Sequence, residues 1–277
     1  MKEQMGVSKC DLYVAIRAAL HAGQEISRIY AGADEELEVE QKADDSPLTV
    51  ADRNANSIIL SYLSDTAHPV LSEEGGFIPF DERKNWKTFW MVDPLDGTKD
   101  FLRKNGEFTV NIALISNSEP VLGVIYIPVK QVLYYATKGD GAFKIRNCSY
   151  AYLQGMETLL DKKERLPLAD KHEGVIVASS RSYVNVHVAA FVDNLREQGC
   201  EVSLIVCGSS IKLGMVAEGS ADIYPRFAPC MEWDTAAGHA IVREAGCEIY
   251  QLNGNTPLTY NKEDLTNPWF VTERVRK

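Results

Sequence analysis

The 277-residue chain has no apolar run long enough to cross a bilayer. Met1 to Lys9 is polar and lacks the apolar core of a secretory signal. The expected location is the cytoplasm, with peripheral association with the inner membrane left open. Cys10, Cys148, Cys200, Cys207, Cys230 and Cys247 form no Cys-x-x-Cys pair and no Cys/His set with zinc spacing. They read as reduced, mostly buried thiols rather than a disulfide framework. Basic clusters are missing too. Lys and Arg number 29 against 39 Asp and Glu, for a net charge of -10. That excludes a nucleic-acid-binding face, which must displace counterions from a phosphate backbone. A phosphorylated small molecule would need local positive charge from metals, helix N-termini or a few Arg and Lys. Histidine is scarce, and His21, His68, His187 and His239 read as structural or solvated. There is no internal repeat and no low-complexity segment.

What is present suits an ordinary globular protein. Hydrophobic residues make up 45% of the chain and charged residues 25%, enough for one large domain or two smaller ones. Leu12, Ile16, Ala19, Leu20, Ile26, Ile29 and Tyr30 recur at helical spacing, so 8–30 is expected to be an amphipathic helix. Residues 36–42 alternate like an exposed strand, and 49–65 look helical. From about 68, short apolar runs alternate with turn residues: 70–71, 89–92, 108–115, 121–127 and 132–136. By length and β-branched content these are strands. Asn117-Ser118-Glu119 and Pro128-Val129-Lys130 read as hairpin turns between them. Residues 1–150 thus form an α+β unit with a mainly antiparallel sheet. Residues 146–174 lack periodicity, which places a boundary near 150 with a linker reaching as far as 173. In 151–277 strands (174–178, 202–206, 221–224, 248–250) alternate with helices (186–198, 210–218, 235–245), an α/β pattern.

Three segments carry chemistry. Phe89–Val92 is a buried strand that runs into Asp93-Pro94-Leu95-Asp96-Gly97-Thr98. Two carboxylates three apart at a strand end suit one or two hard cations such as Mg²⁺. Pro94 fixes the turn, and Gly97 lets backbone approach a ligand. If a helical turn starts at Asp96, the amides of Gly97 and Thr98 are placed to hold a phosphate oxygen. The competing reading is a solvated Asp-Gly turn. Ser72-Glu73-Glu74-Gly75-Gly76 follows another apolar run and is either a metal carboxylate or a charged loop. Glu232-Trp233-Asp234-Thr235-Ala236-Ala237-Gly238 places Asp234 where a helix begins. There it serves as an N-cap or as another ligand, with the small residues allowing close packing.

Glu73-Glu74, Asp93–Thr98 and Trp233–Gly238, in that order, resemble the inositol monophosphatase superfamily of metal-dependent, lithium-sensitive phosphatases. The resemblance implies a layered α/β/α/β sandwich with the site between two subdomains. It implies two Mg²⁺ ions, with a third left open, on Glu73, Asp93, the Leu95 carbonyl, Asp96 and Asp234. It implies phosphate held by the backbone at Gly97 and Thr98. Asp52 would draw a proton from the Thr98 hydroxyl, with Glu73 assisting catalysis through metal. Cys207–Lys212 and Ala217–Phe227 further resemble the CysQ-type branch, the 3'(2'),5'-bisphosphate nucleotidases. That branch converts adenosine 3',5'-bisphosphate, a by-product of sulfate assimilation, to AMP. Its nucleotide contacts map to Ser209, Lys212 and Arg226. A bisphosphate carries a second anion away from the metals, and a planar guanidinium and a point ammonium suit it. Taken alone, both read as exposed charges on a helix and a strand end; the flanking motif turns them into candidate nucleotide contacts. The branch usually has Ser-Arg-Ser-His where this chain has Ser180-Arg181-Ser182-Tyr183. Tyr183 can stack on a base but carries no charge near neutral pH. The implied partner is a small nucleotide bisphosphate, and relatives include monomers and homodimers. The alternatives are a polyol or sugar phosphatase with the same metal set, and a non-catalytic nucleotide or metal sensor.

Overall fold

A computed structural model describes residues 7–32, 39–41, 47–168, 173–181, 186–252 and 256–275. Helix α1 (Lys9–Tyr30) starts at Ser8, whose hydroxyl and N–H exchange hydrogen bonds with Asp11, the reciprocal capping box that satisfies two end donors. Its apolar stripe, including Ile16, Leu20 and Ile26, is fully buried. Strands β1 (Val39–Gln41) and β2 (Pro47–Thr49) form a small antiparallel pair. The rest of the strand expected over 36–42 lies outside the described residues. Helix α2 (Val50–Leu63) follows at once, capped by Thr49.

The first large sheet has seven strands: β3 (Val70–Ser72), β4 (Thr88–Asp96), β5 (Thr109–Ser116), β6 (Glu119–Ile127), β7 (Val132–Thr137), β8 (Gly141–Ile145) and β9 (Glu164–Arg165), in that spatial order. Only β3 and β4 among them pair in parallel. Short helices α3 (Phe80–Arg83), α4 (Thr98–Leu102) and α5 (Met156–Leu160) and a 3₁₀ turn at Tyr150–Gln154 fill the connections. Asn117 and Ser118 both have positive φ, 51° and 63°, the geometry that lets a two-residue hairpin match strand twist. Strands β8 and β9 were not among the expected strands, because Gly141–Ile145 holds few β-branched residues and the β9 pair is too short to read.

The second sheet runs β11-β10-β12-β14-β13, from β10 (Val175–Ser180), β11 (Val202–Cys207), β12 (Ile223–Arg226), β13 (Cys247–Gln251) and β14 (Phe270–Arg274). Strand β10 pairs in parallel with β11 and β12, while β14 runs antiparallel to β12 and β13. Strand β14 escaped the sequence reading because Phe270–Arg274 is half polar. Helices α6 (Val186–Glu197), α7 (Ile211–Glu218) and α8 (Glu232–Glu244) complete this half.

Both faces of the first sheet are buried, which is why its strands read as continuous apolar runs. Trp90, Val92, Ile112 and Val124 face α1 and α2. Phe89, Met91, Ala113 and Ile125 face the other way, into a core shared with α7, α8 and the second sheet. Helix α6 covers the outer face of the second sheet through Val188 and Val192. The order is α/β/α/β, with α6 as an outer cover. Helix α8 lies unusually close to the first sheet: a Cβ on Gly123 would sit 2.1 Å from the Ala237 carbonyl oxygen.

Candidate active site

Strand β4 extends through Pro94 to Asp96, beyond its expected end at Val92, and α4 begins at Thr98 rather than Asp96. The reason is a bulge: pairing with β5 slips between Asp93 and Asp96. Pro94 has no N–H for the ladder, and a bulge bends the strand and re-aims its side chains. Gly97 then turns the chain with φ 95°, a conformation glycine adopts without steric cost. Parallel pairing of β3 with β4 puts Glu73 beside this bend, where its N–H donates to Val92 O at 3.0 Å. Asn56 of α2 steadies the Glu73 loop, donating to Glu74 O at 3.2 Å and accepting from the Ser72 hydroxyl at 2.7 Å. Asp234 arrives from the other half, in the first turn of α8. It is the third helical residue rather than the cap: Met231 is the cap, and its N–H donates to Asp234 Oδ2 at 3.0 Å.

These segments converge on one cavity of about 390 Å³. Its walls include Glu73, Asp93, Leu95, Asp96, Gly97, Thr98, Ser209, Lys212, Arg226 and Asp234. Asp52 stands behind Thr98, accepting its hydroxyl at 3.2 Å on one carboxylate oxygen. The other oxygen accepts the Thr49 N–H and hydroxyl at 2.8 and 2.5 Å, so the α2 cap holds the carboxylate in place. Tyr183 lies outside the described residues.

The electrostatics are one-sided at the β4 bend. Burial, followed by the charges of Glu73, Asp96 and Asp234, pushes the Asp93 carboxyl well above the usual range. Burial, Asp96 and Glu73 do the same to Asp234. Asp96 is also raised by burial, and the Lys212 ammonium and Ser210 amide oppose the shift. Lys212 is pushed down to about 8 by burial, against the pull of Asp96. Its ammonium donates to the carbonyls of Cys207 and Ser209 in its own loop. Lys212 is thus a buried brace for that loop rather than the exposed charge that sequence alone allowed. Arg226, at the end of β12, donates to Pro229 O at 3.0 Å.

The inositol monophosphatase family model matches residues 8–274. The chain belongs to the inositol monophosphatase family. It is 41% identical over 254 residues to the 3'(2'),5'-bisphosphate nucleotidase CysQ of Salmonella typhimurium, covering 91% of this chain and 95% of that one. The crystal structure of CysQ from Bacteroides thetaiotaomicron, a bacterial member of the family, matches with TM-score 0.85 and 50% identity over 95% of this chain and 97% of that one. The suhB protein of Bartonella henselae matches with TM-score 0.72 and 28% identity over 95% and 93%. The chain is therefore a phosphatase of this family, and no helix among its described residues is long and apolar enough to cross a membrane.

The donor set fits the divalent metal on which such phosphatases generally depend. Buried carboxylates that raise one another's pKa need a cation more than they need one another. Among the described residues, no three His, Cys, Asp or Glu side chains form by themselves a group that could hold a metal ion. Mg²⁺ tolerates this, because it keeps several waters and takes one or two carboxylates plus substrate oxygens.

Several cavity residues were not singled out from sequence. Tyr224, Cys230, Thr235, Thr266 and Phe270 also line the wall. Tyr224 and Thr235 fell within quoted motifs without a role of their own, and nothing in the local pattern of Cys230, Thr266 and Phe270 marks them, since each reads as core or loop. Glu232 was quoted only as a motif flank. It is fully buried and accepts the N–H groups of Asn261 and Lys262 at 2.6 and 3.0 Å. Buried Arg83 anchors the same loop by donating to Asn261 Oδ1, Lys262 O and Glu263 O. This tie sets the start of α8, and with it Asp234.

Proposed function

We propose that the chain is a Mg²⁺-dependent 3'(2'),5'-bisphosphate nucleotidase that hydrolyses the 3'-phosphate of adenosine 3',5'-bisphosphate, giving AMP and phosphate. The observation that carries this reading is a single cavity lined both by carboxylates from the β4 bend and α8 and by Ser209, Lys212 and Arg226. The CysQ relatives support it. Glu73, Asp93, the Leu95 carbonyl, Asp96 and Asp234 would hold Mg²⁺. When bound, such ions lower the pKa of water and neutralise phosphoryl oxygens. Asp52, fixed by Thr49, orients the Thr98 hydroxyl and would take up its proton as the Thr98 oxygen takes one from the attacking water. The amides of Gly97 and Thr98 open the first turn of α4, with no carbonyl one turn earlier to bond, and are free to hold phosphate oxygens. Arg226 meets the second phosphate with its planar fork. Ser209 lines the same cavity.

A polyol phosphate substrate gains from one observation: Lys212 is engaged with its own loop, which leaves Arg226 and the exposed Lys99 as the other cations of the cavity wall. Phosphate release with Mg²⁺ separates the two readings. Adenosine 3',5'-bisphosphate is expected to be hydrolysed in preference to inositol 1-phosphate and fructose 1,6-bisphosphate, and Li⁺ to inhibit. Preference for inositol 1-phosphate would sink the nucleotidase reading. Arg226→Ala is expected to raise KM for the bisphosphate roughly 10–100-fold, the worth of a charge-assisted hydrogen bond. KM for a simple monophosphate should change far less. Equal changes on both substrates would remove Arg226 from the clamp.

A further inference from the structure

Glu107 lies between α4 and β5, and its side chain crosses to the second sheet. Its Oε2 accepts the Gly208 N–H at 2.9 Å and an Arg181 guanidinium N–H at 2.9 Å. Arg181 follows directly on β10, and Gly208 on β11. Parallel pairing sets Ser180 opposite Cys207, so one carboxylate oxygen ties two neighbouring strand ends to the first half of the chain. Glu107 is itself held. Its N–H donates to Asn105 Oδ1 at 2.9 Å, and Asn105 donates to Asp100 Oδ1 at 2.6 Å. The fit leaves no slack: a Cβ on Gly208 would lie 2.5 Å from Asp100 Oδ2 and 2.7 Å from Glu107 O. The next residue, Ser209, is in the left-handed region with φ 48°, a costly conformation for a residue with a Cβ. Ser180 and Ser209 both line the cavity, whereas Glu107 does not.

We infer that Glu107 is a positioning residue: it sets the two strand ends that carry Ser180 and Ser209 against the β4 bend, and so fixes the width of the cavity where those two serines line it. Asp96 completes the same seam by accepting the Ser210 N–H at 2.5 Å. One carboxylate grips the loop on each side of Ser209. The choice of substrate in the test rests on the nucleotidase reading; the positioning role does not.

Amide hydrogen exchange on the full chain, without substrate, reads that role directly. Glu107→Ala is expected to speed exchange on the order of tenfold in segments 175–181 and 203–211, the scale of one lost charge-assisted hydrogen bond. Glu107→Gln keeps an acceptor for Gly208 but no charge for Arg181, so it should restore 203–211 and leave 175–181 loosened. Arg181→Ala, at a half-exposed side chain, should loosen 175–181 alone, and it keeps the test decisive if Glu107→Ala fails to fold. Unchanged exchange in these segments overturns the inference. In the Mg²⁺ assay, Glu107→Ala should raise KM for the bisphosphate about tenfold, with kcat within about threefold and partial rescue by Glu107→Gln. Loss of kcat at unchanged KM also overturns it. If the wild-type chain does not hydrolyse the bisphosphate, the nucleotidase reading falls, and the exchange results still decide the role of Glu107.

Discussion

Asp96→Asn is expected to reduce Mg²⁺-dependent turnover roughly 10³-fold while leaving the fold intact. The estimate follows from the several kcal/mol that a divalent cation contributes to transition-state charge, at about 1.4 kcal/mol per tenfold in rate. Asparagine is nearly the same shape, and its carbonyl still accepts the Ser210 N–H that Asp96 Oδ2 accepts now. What it lacks is the negative charge. Thermal unfolding separates this from simple damage. Without Mg²⁺, burial already pushes the Asp96 carboxyl up, so removing the charge relieves that desolvation cost and the variant should melt no lower than wild type. The sign with pH is definite. A carboxyl whose folded pKa is raised contributes stability below its unfolded pKa, near 4, and loses it as pH rises through the folded value. The advantage of Asp96→Asn over metal-free wild type should therefore widen as pH rises. Mg²⁺ at about 100 times its Kd should stabilise wild type by roughly 2.7 kcal/mol and the variant far less. Near-wild-type turnover in Asp96→Asn would remove the β4 bend from the reaction.

Gly123→Ala should be the most destabilising single-methyl change in the shared core. The added Cβ would fall 2.1 Å from the Ala237 carbonyl oxygen and 2.9 Å from its carbon. No rotamer change relieves a collision with backbone, so α8 must move off the first sheet. Overpacking of this kind costs about 3 kcal/mol or more, which corresponds to a melting temperature on the order of 6–10 °C lower. Activity should fall as well, because α8 carries Asp234. Gly76→Ala is the control: nothing lies within 4 Å of its Cβ, and its melting temperature should match wild type. An unchanged melting temperature in Gly123→Ala would mean that α8 does not lie against β6 at this distance.

Asp93 and Asp96 were legible in the sequence because carboxylates beside a buried apolar run are costly without a cation, whereas Glu73 and Asp234 read alone as a loop and a cap and joined them through the family resemblance. Helix α1 was legible because one-sided burial writes a helical period into the chain, and β3 to β7 were legible as short apolar runs bounded by turn residues. The sequence alone determined the element types over most of the chain, the family resemblance and the acidic segments of the site. Tertiary structure decided what those segments do to one another. Only the folded chain brings Asp234 across to Glu73 and Asp93, turns Lys212 inward to brace its own loop, and sets Glu107 between Arg181 and Gly208. It also decided that the core runs through both halves, with α8 shared between two sheets. The physical reason is range. Periodicity and turn chemistry act over a few neighbouring residues and leave a mark in local order. Glu107 and Gly208, or Gly123 and Ala237, meet across more than a hundred positions, and no local pattern records which distant residue each will meet.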